Sequence, residues 1–246
     1  MEKFETDGVV LKTGVTGEAD LIVYVLTRQR GIIRAFAKGA RSTKSRLHAG
    51  AAAFVYGAFS FTEKNGVFHV NDIVPQEVFF ALRLDLQKLS LAQYFCEILL
   101  RTVSDTESDP MLLRLFLNSL HLLCGDKKPA LMLKAVFELR IAVLSGYAPA
   151  LVACGQCGEY ETPLMFFDVT EGALYCENCA QAPRSELIPV AVISAMRHIV
   201  FSDFSDLFRF QLEDALLTVL NRMTERYLMQ CFQHRFRLLE FFYQSL

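Results

Sequence analysis

The stretch CGQCGEYETPLMFFDVTEGALYCENC, residues 154–179, contains two Cys-x-x-Cys pairs with eighteen residues between them. Gly155 and Gly158 accompany the first pair, so the backbone can turn tightly enough to point two thiolates at one ion about 2.3 Å away. Two such pairs complete a tetrahedron with no open position, which is typical of a structural site. The alternatives are two disulfides or four unrelated thiols. We therefore predict one structural zinc ion per chain, with these ligands: Cys154, Cys157, Cys176 and Cys179.

The residues between the pairs, including 163–167 and 172–175, predict a short ribbon that is too small to bury a core of its own. A bound ion would replace the missing hydrophobic stabilisation. Helical patterns precede and follow this ribbon, so we interpret residues 151–182 as an insertion between two parts of a helical domain, residues 81–150 and 183–246.

Apolar residues recur at helical spacings in both of these parts. Asp109-Pro110 supplies an N-cap and a first-turn proline for one helix, and Gly146 supplies a C-cap for another. The predicted helical segments are 82–103, 111–124, 129–146, 189–201 and 212–232.

The first eighty residues instead predict short strands rich in Val, Ile, Leu and aromatic residues. These strands are 4–12, 19–27, 31–38, 51–63 and 67–74. Asn65-Gly66 between the last two is the dipeptide best suited to a tight hairpin. Five such strands favour an OB-fold at residues 1–80, with an SH3-like barrel as the alternative. The predicted fold class is α+β and multidomain, with an N-terminal OB-fold β-barrel and a C-terminal α-helical domain that carries the inserted ribbon.

The composition, 246 residues with 52% hydrophobic content and a formal net charge of −2, is that of a folded protein. Acids occur among the first seven residues, where a signal peptide would need a basic and then an apolar stretch. We expect a soluble cytoplasmic protein without a membrane partner. Cys96, Cys124 and Cys231 lie in Leu- and Phe-rich helical stretches, which favours free, buried thiols in a reducing compartment.

The near-neutral charge conceals a basic segment, RQRGIIRAFAKGARSTKSRLH at residues 28–48, whose charge of +7 leaves −9 for the rest of the chain. Cations mixed with Ser, Thr and Gly, beside a barrel rich in aromatic residues, are typical of single-stranded nucleic-acid sites. A solvated basic loop would give the same pattern, and at least half of the aromatic residues must fill the barrel core. The predicted DNA-binding residues are Arg34, Lys38, Arg41, Lys44 and Arg46, with no acid nearby in the sequence to neutralise them.

Motifs for catalysis are absent from the sequence, including the phosphate-binding Gly-x-x-x-x-Gly-Lys and the zinc-protease His-Glu-x-x-His. A zinc deaminase would have proline before a cysteine pair, but Ala153 and Tyr175 precede the two pairs here. We interpret Glu138 and Asp168 as surface groups or helix partners. The sequence therefore predicts a protein that is not an enzyme and has no small-molecule substrate, and four cysteine ligands argue against a metal hydrolase.

The chain also contains a series of motifs in a specific order. They are Gly8-Val-Val-Leu-Lys12, Gly17-Glu-Ala-Asp20, Ala37-Lys-Gly-Ala-Arg41 with Lys44-Ser-Arg46, Phe137-Glu-Leu-Arg140 with Leu144-Ser-Gly-Tyr-Ala-Pro149, and the two Cys-x-x-Cys pairs. Together they resemble the bacterial recombination mediator family RecO over nearly the whole chain. The resemblance implies an OB-fold, a helical domain and a zinc ribbon in a DNA repair protein of the RecF pathway.

The resemblance further implies a protein that anneals complementary strands and, with the partner RecR, helps to load RecA onto DNA coated by single-strand-binding protein. The implied partners are single-stranded DNA, RecR and the acidic C-terminal tail of single-strand-binding protein, in a nucleoid-associated setting. Double-stranded DNA stays open as a second ligand. The natural place for the tail is a basic and apolar groove on the helical domain, with Arg140 as a candidate contact or, alternatively, a member of a structural ion pair. The alternative function is a zinc-ribbon interaction adaptor that does not bind DNA directly.

Overall fold

The computed structural model describes residues 2–103, 109–160, 162–181 and 184–246. The chain divides into two compact units, Met1–Cys124 with Arg237–Leu246, and Gly125–Phe236. We call the first the barrel unit and the second the ribbon unit. The predicted four-part division of the chain stays a prediction, and its boundary at residues 182 and 183 lies outside the described residues.

The barrel unit begins with five strands, as described in the structure: β1 Glu2–Thr16, β2 Asp20–Thr27, β3 Ile32–Ala37, β4 Val55–Lys64 and β5 Val67–Val78. They close into a barrel in the order β1-β2-β3-β5-β4. β3 pairs in parallel with β5, and β4 completes the ring by pairing with β1. A meander barrel would instead pair β3 with β4. The order therefore confirms the predicted OB-fold and excludes the SH3-like alternative.

Alternation along the strands fills the barrel. On β3, Ile33, Ala35 and Ala37 are buried, while Arg34 is exposed and Phe36 is half-buried. The other strands contribute these buried side chains to the same core: Val10, Val23, Val25, Phe59, Phe61, Val70 and Ile73. The barrel core thus takes up part of the aromatic content, as expected, and leaves other aromatic rings on the outside.

Residues 38–54, between β3 and β4, form a series of turns that we call the basic cap. Ala40, Leu47 and Ala51 of this segment are buried within the barrel core cluster. Gly50 fits against Ile73 so closely that an added Cβ would lie 2.5 Å from a methyl carbon of Ile73. The cap is therefore anchored by apolar contacts, although eight of its seventeen residues are polar or charged.

The described residues contain six α-helices: α1 Leu86–Thr102, α2 Pro110–Cys124, α3 Ala130–Leu144, α4 Val190–Phe201, α5 Asp214–Phe232 and α6 Arg237–Gln244. The predicted caps are confirmed, because Asp109 Oδ1 accepts the Met111 N–H at 2.8 Å and Gly146 ends α3 with a φ of +87°. None of the helices in the described ranges is long and apolar enough to cross a membrane.

Helix α6 is absent from the sequence prediction, since it is too short for a clear period. Its N-terminus is capped by a residue far away in sequence. The Glu97 carboxylate of α1 accepts the backbone N–H groups of Arg237 and Leu238 at 3.0 and 2.8 Å. A carboxylate at a helix N-terminus satisfies orphan N–H groups and favours the helix dipole. Tertiary packing against α1 therefore decides where α6 begins.

The ribbon unit combines α3, α4 and α5 with four short strands: β6 Ala150–Cys154, β7 Met165–Asp168, β8 Ala173–Cys176 and β9 Ser185–Ile188. In the described part of this unit, the strands form a sheet in the order β6-β8-β7-β9. Asp168 is buried, and its Oδ1 accepts the N–H groups of Thr170 and Glu171 in the turn between β7 and β8. Asp168 is thus a buried turn residue, not the surface group or helix partner expected from the sequence.

A buried charged group joins α3 to α5. Lys134 and Glu138 are both wholly buried, and Lys134 Nζ lies 2.9 Å from Glu138 Oε1 and 3.2 Å from Glu225 Oε2. Thr224 Oγ1 donates to Glu138 Oε2 at 2.7 Å. A shift of α3 relative to α5 would separate these groups and leave an uncompensated charge in the core. The charged group therefore favours the observed register of the two helices. Glu138 is therefore a helix partner, as the sequence suggested.

The barrel generates a prediction about two of its glycines. At Gly57 on β4 an added Cβ would overlap the Val74 carbonyl oxygen of β5, whereas at Gly14 on β1 it would meet no atom within 4 Å. We expect Gly57→Ala to lower the free energy of unfolding by about 1–3 kcal/mol, because backbone cannot move aside without breaking the β4–β5 ladder. The matched control Gly14→Ala should change it by less than about 1 kcal/mol. Urea unfolding measures both values, and equal effects would contradict the close approach.

Candidate metal centre and nucleic-acid interface

The ribbon sheet brings the two cysteine pairs together. β6 and β8 are parallel neighbours, with Cys154 at the end of β6 and Cys176 at the end of β8. Parallel strands finish at the same edge of a sheet, so the turns that follow them are adjacent. Each of these turns carries the second cysteine of its pair, Cys157 or Cys179. The strand pairing therefore assembles four ligands from two local motifs.

The four sulfur atoms have the spacing of a tetrahedral metal site. All lie within 4.8 Å of one another, and Cys157 Sγ is 3.7 Å from Cys176 Sγ. A tetrahedron of metal–sulfur bonds about 2.3 Å long has edges of about 3.8 Å. A disulfide would need a sulfur–sulfur distance of about 2.05 Å, and all four cysteines are free thiols. The residues therefore fit a metal ion with four thiolate ligands.

Backbone groups prepare the first cysteine to be a thiolate. Burial raises the pKa of the Cys154 thiol, but N–H donors of Cys157, Cys176 and Gln156 outweigh burial and lower that pKa to about 6. By contrast, the contact with Cys176, followed by burial, raises the pKa of Cys179 to about 12. The negative charge of Cys154 adds a smaller upward effect on the pKa of Cys179. A divalent cation would remove this repulsion and allow every thiol to ionise.

The ribbon is fixed to helix α5 of the same unit. The Tyr227 ring of α5 lies 5.7 Å from the Phe167 ring of β7, at an interplanar angle of 67°. Gly172 in the turn between β7 and β8 approaches Tyr227 so closely that a Cβ would be 2.8 Å from its hydroxyl. Ion pairs also join β9 to α5, from Glu186 to Arg222 and Arg226. The metal centre is therefore continuous with the helical packing of the ribbon unit.

The predicted DNA-binding residues lie on β3 and the basic cap, and their side chains are all exposed. Arg41 is held in place, because its backbone N–H donates to the Ala19 carbonyl at 3.0 Å and its Nη1 donates to the Glu18 carbonyl at 2.8 Å. Among the described residues, Arg34, Lys38, Arg41 and Lys44 form no ion pair. The cap thus presents exposed cations on a segment that is anchored to the barrel core.

Arg46 departs from the expectation that no acid lies near these cations. Its Nε is 3.8 Å from Asp72 Oδ1 on β5, and its Nη2 donates to the Asn71 carbonyl at 2.8 Å. The expectation is wrong for this residue because β5 is distant in sequence and adjacent in the fold. The two charged side chains are 74% and 48% exposed, so solvent screens the pair and leaves Arg46 able to meet a phosphate.

An aromatic surface adjoins these cations on the outside of the barrel. Register places Tyr24 of β2 beside Arg34 of β3, and Ile22 of β2 beside Phe36. Phe36 in turn lies beside His69 of β5, with ring centroids 5.8 Å apart and planes 31° apart. We call the set Lys12, Ile22, Tyr24, Arg34, Phe36 and His69 the outer aromatic face. Lys12 belongs to it because β1 pairs Lys12 with Tyr24.

A cleft of about 480 Å³ opens at one side of this face. Its lining includes Ile32, Arg34 and Phe36 of β3 and the hairpin residues Gly66 and Val67. The faces of strands β2 and β3 and the β4–β5 hairpin are the parts of OB-folds that bind oligonucleotides and oligosaccharides. The fold thus directs cations and aromatic rings to the surface where such ligands bind.

Comparison with known proteins agrees with this architecture. Residues 1–79 match the family model described as "Recombination protein O N terminal", and residues 83–240 match "Recombination protein O C terminal". The chain belongs to the RecO family. The boundary between the two RecO matches falls at the 3₁₀ turn Phe80–Leu84, directly after the last barrel strand.

Curated relatives support the same assignment over almost the full length. The "DNA repair protein RecO" of Acetivibrio thermocellus is 32% identical over 242 residues, which cover 98% of this chain and 96% of the relative. The protein of the same name from Alkaliphilus metalliredigens is 31% identical over 92% of both chains. That of Dehalococcoides mccartyi is 27% identical over 88% of this chain and 86% of the relative. This RecO chain is therefore a DNA repair protein by family.

Arg140, a candidate partner contact in the sequence, has a structural position in this RecO chain. Its Nη1 donates to the carbonyl oxygens of Ile199 and Val200 at 3.0 and 2.8 Å, at the C-terminal end of α4. The guanidinium also lies 4.9 Å from the centroid of the Phe204 ring. Burial lowers the pKa of Arg140, opposed by the charge of Asp203. Arg140 therefore caps a helix through its carbonyl groups, which is a structural role.

Sequence reasoning missed most of the outer aromatic face. The two-residue period of β2 and β3 could have placed Tyr24, Arg34 and Phe36 on one side of the sheet. His69 had no such signal, because only the parallel pairing of β3 with β5 brings it beside Phe36. Lys12 was likewise hidden by a register shift between Val10 and Lys12.

The position of Arg140 generates a prediction. We expect Arg140→Ala to lower the free energy of unfolding by about 2 kcal/mol, because it leaves the final carbonyl groups of α4 without their charged donor. The matched control Arg209→Ala, whose side chain is 73% exposed, should cost less than about 0.5 kcal/mol. Thermal or urea unfolding compares them, alongside binding of a peptide with the acidic tail of single-strand-binding protein, at a temperature where both variants are folded. Unchanged stability with lost binding would make Arg140 a recognition residue instead.

Proposed function

We propose that this RecO chain is a non-enzymatic recombination mediator that binds single-stranded DNA and anneals complementary strands. In this proposal it acts with RecR to promote loading of RecA onto DNA coated by single-strand-binding protein. Family membership supports the role in DNA repair. The observation that carries DNA binding is the basic cap, whose exposed cations are anchored on the barrel beside the outer aromatic face.

The annealing mechanism follows from this charge distribution. Two strands of DNA repel one another because each carries a phosphate charge at every nucleotide. Cations at Lys38, Arg41 and Lys44, which have no ion-pair partner among the described residues, can neutralise phosphates without first breaking an ion pair. Neutralised strands approach on one surface, and base pairing then supplies the specificity.

A groove on the ribbon unit is our proposed site for the acidic tail of single-strand-binding protein. The groove has a volume of about 240 Å³, and Lys127 and Lys128 lie at it together with the apolar side chains of Met132, Phe210 and Leu217. Lysines suit the acidic residues of such a tail, and the apolar side chains give the groove a floor against which a peptide can pack. This arrangement has the basic and apolar character that we expected of a groove on the helical domain, but it does not include Arg140.

We further propose that the metal is zinc and that its role is structural. Four thiolates are soft ligands that favour zinc in a tetrahedral site. They also leave no open coordination position for water, which metal-assisted hydrolysis would need. Together with the absence of catalytic motifs in the sequence, this supports a mediator and not an enzyme.

The metal proposal makes a stoichiometric prediction. Protein purified without chelator should contain one zinc per chain by elemental analysis, and Cys176→Ser should lower that content towards zero and loosen the ribbon to proteolysis. Oligonucleotide binding by the barrel should change much less. The control is Cys124→Ser on α2, outside the cysteine cluster, which should keep full zinc. A metal-free wild-type protein, or a disulfide among these cysteines, contradicts the proposal.

The DNA proposal makes a prediction about salt dependence. Each phosphate contact with single-stranded DNA contributes about −0.7 to the slope of log K against log salt, so loss of two contacts should reduce the slope by about 1.4. We expect Arg41→Glu with Lys44→Glu to show this change and to lose binding and annealing together. Fluorescence anisotropy with labelled oligonucleotides measures the slope. Annealing of complementary oligonucleotides, naked and coated with single-strand-binding protein, measures the activity.

The control for this experiment is Arg101→Glu with Arg209→Glu, which makes the same change in net charge at exposed positions outside the barrel. It should leave the slope and annealing of naked DNA unchanged. If the cap variant keeps its affinity and slope, the DNA site lies elsewhere. If the wild-type protein binds no oligonucleotide at any salt concentration, the interaction-adaptor alternative is favoured.

A further inference from the structure

The outer aromatic face has a composition that phosphate binding alone does not explain. Phe36 and His69 are neighbours across the β3–β5 pair, yet both rings point away from the barrel core. His69 is exposed, and Phe36 is only half-buried. A barrel that needed Phe36 for its core would turn it inward, as it does Phe59 and Phe61.

The rings lie between cations and not between acids. Arg34 Cζ is 5.8 Å from the centroid of the Phe36 ring, and Lys12 and Tyr24 continue the same row across β1 and β2. The next row runs through Gly14, Ile22, Phe36 and His69. Gly14 has no neighbour within 4 Å of where its Cβ would be, so this edge of the row is open. Neither row contains a carboxylate, which suits a polyanion that also offers flat apolar surfaces.

The geometry points to Phe36 and His69 as a stacking platform for the bases of single-stranded DNA, flanked by Arg34 and Lys12 for the phosphates. This inference rests on the proposed DNA binding and adds the part of the ligand that is recognised. Aromatic side chains bind bases through their faces, without preference for sequence. A duplex hides these faces within its own stack, so the platform discriminates single strands from duplexes.

The platform has a consequence for annealing. Stacking occupies the face of a base and leaves its Watson–Crick edge free to pair with a second strand. Once pairing occurs, the bases stack on one another and leave the rings. The duplex then retains the protein only through phosphate contacts with the basic cap. Pairing therefore weakens the binding of the duplex to this surface, which favours release of the annealed product.

The test uses the full chain and three probes of equal length: an oligothymidylate, an abasic oligonucleotide with the same phosphates and a duplex. We expect Phe36→Ala to weaken binding of the oligothymidylate by about 5- to 100-fold, since this is the effect of removing one stacking side chain. Binding of the abasic strand and of the duplex should stay within about twofold, and the salt slope should not change. His69→Ala should act in the same direction.

Further variants separate stacking from folding. Phe36→Tyr keeps a ring and should retain binding, whereas Phe36→Leu keeps apolar volume without a ring and should behave as Phe36→Ala does. The control is Phe80→Ala, which removes a 56% exposed ring outside the outer aromatic face and should have no effect on any probe. If Phe36→Leu binds as the wild-type protein does, or if Phe36→Ala weakens all three probes equally, the stacking inference is wrong.

Failure of the stacking inference can be distinguished from failure of the proposed DNA binding. A wild-type protein that binds the abasic strand as tightly as the oligothymidylate, and that still anneals, would overturn the platform and keep the proposed function. A wild-type protein that binds none of the probes would overturn both.

Discussion

The parallel pairing of β3 with β5 is the constraint on which the barrel and its surface depend. Because β3 lies next to β5 and not β4, the chain between β3 and β4 must cross the barrel. That crossing segment is the basic cap, which buries Ala40, Leu47 and Ala51 and leaves its cations in solvent. The same pairing puts His69 beside Phe36. One strand pairing thus positions both the charged and the aromatic parts of the proposed interface.

A second parallel pair has a comparable role in the ribbon unit. β6 and β8 end at one edge of the sheet, which brings Cys154 and Cys176 together and with them the turns that carry the other two ligands. The four-strand sheet is small, and in our proposal a metal and contacts with α5 add to its stability. Tyr227 provides such contacts against Phe167 and Gly172. In our proposal the zinc stabilises this sheet and its packing against α5.

The proposed interface divides recognition between two kinds of group. The cations of the basic cap meet a feature that single and double strands share, and they can hold either. The rings of the outer aromatic face meet base faces, which only an unpaired strand exposes. A protein that must gather single strands and then leave the duplex benefits from this division, because annealing itself removes one of the two attractions. Neither part requires a catalytic group.

Local pattern in the sequence determined much of this protein. Runs rich in Val, Ile, Leu and aromatic residues predicted the barrel strands, Asp109 and Gly146 marked helix ends, and the spacing of the cysteine pairs predicted the candidate metal ligands. Each of these signals acts over a few residues. Tertiary structure alone decided the rest. It placed Asp72 beside Arg46, Glu97 at the start of α6 and His69 beside Phe36, and it turned Arg140 onto the end of α4. These contacts join residues far apart in the chain, and no local period records which distant strand or helix will become a neighbour.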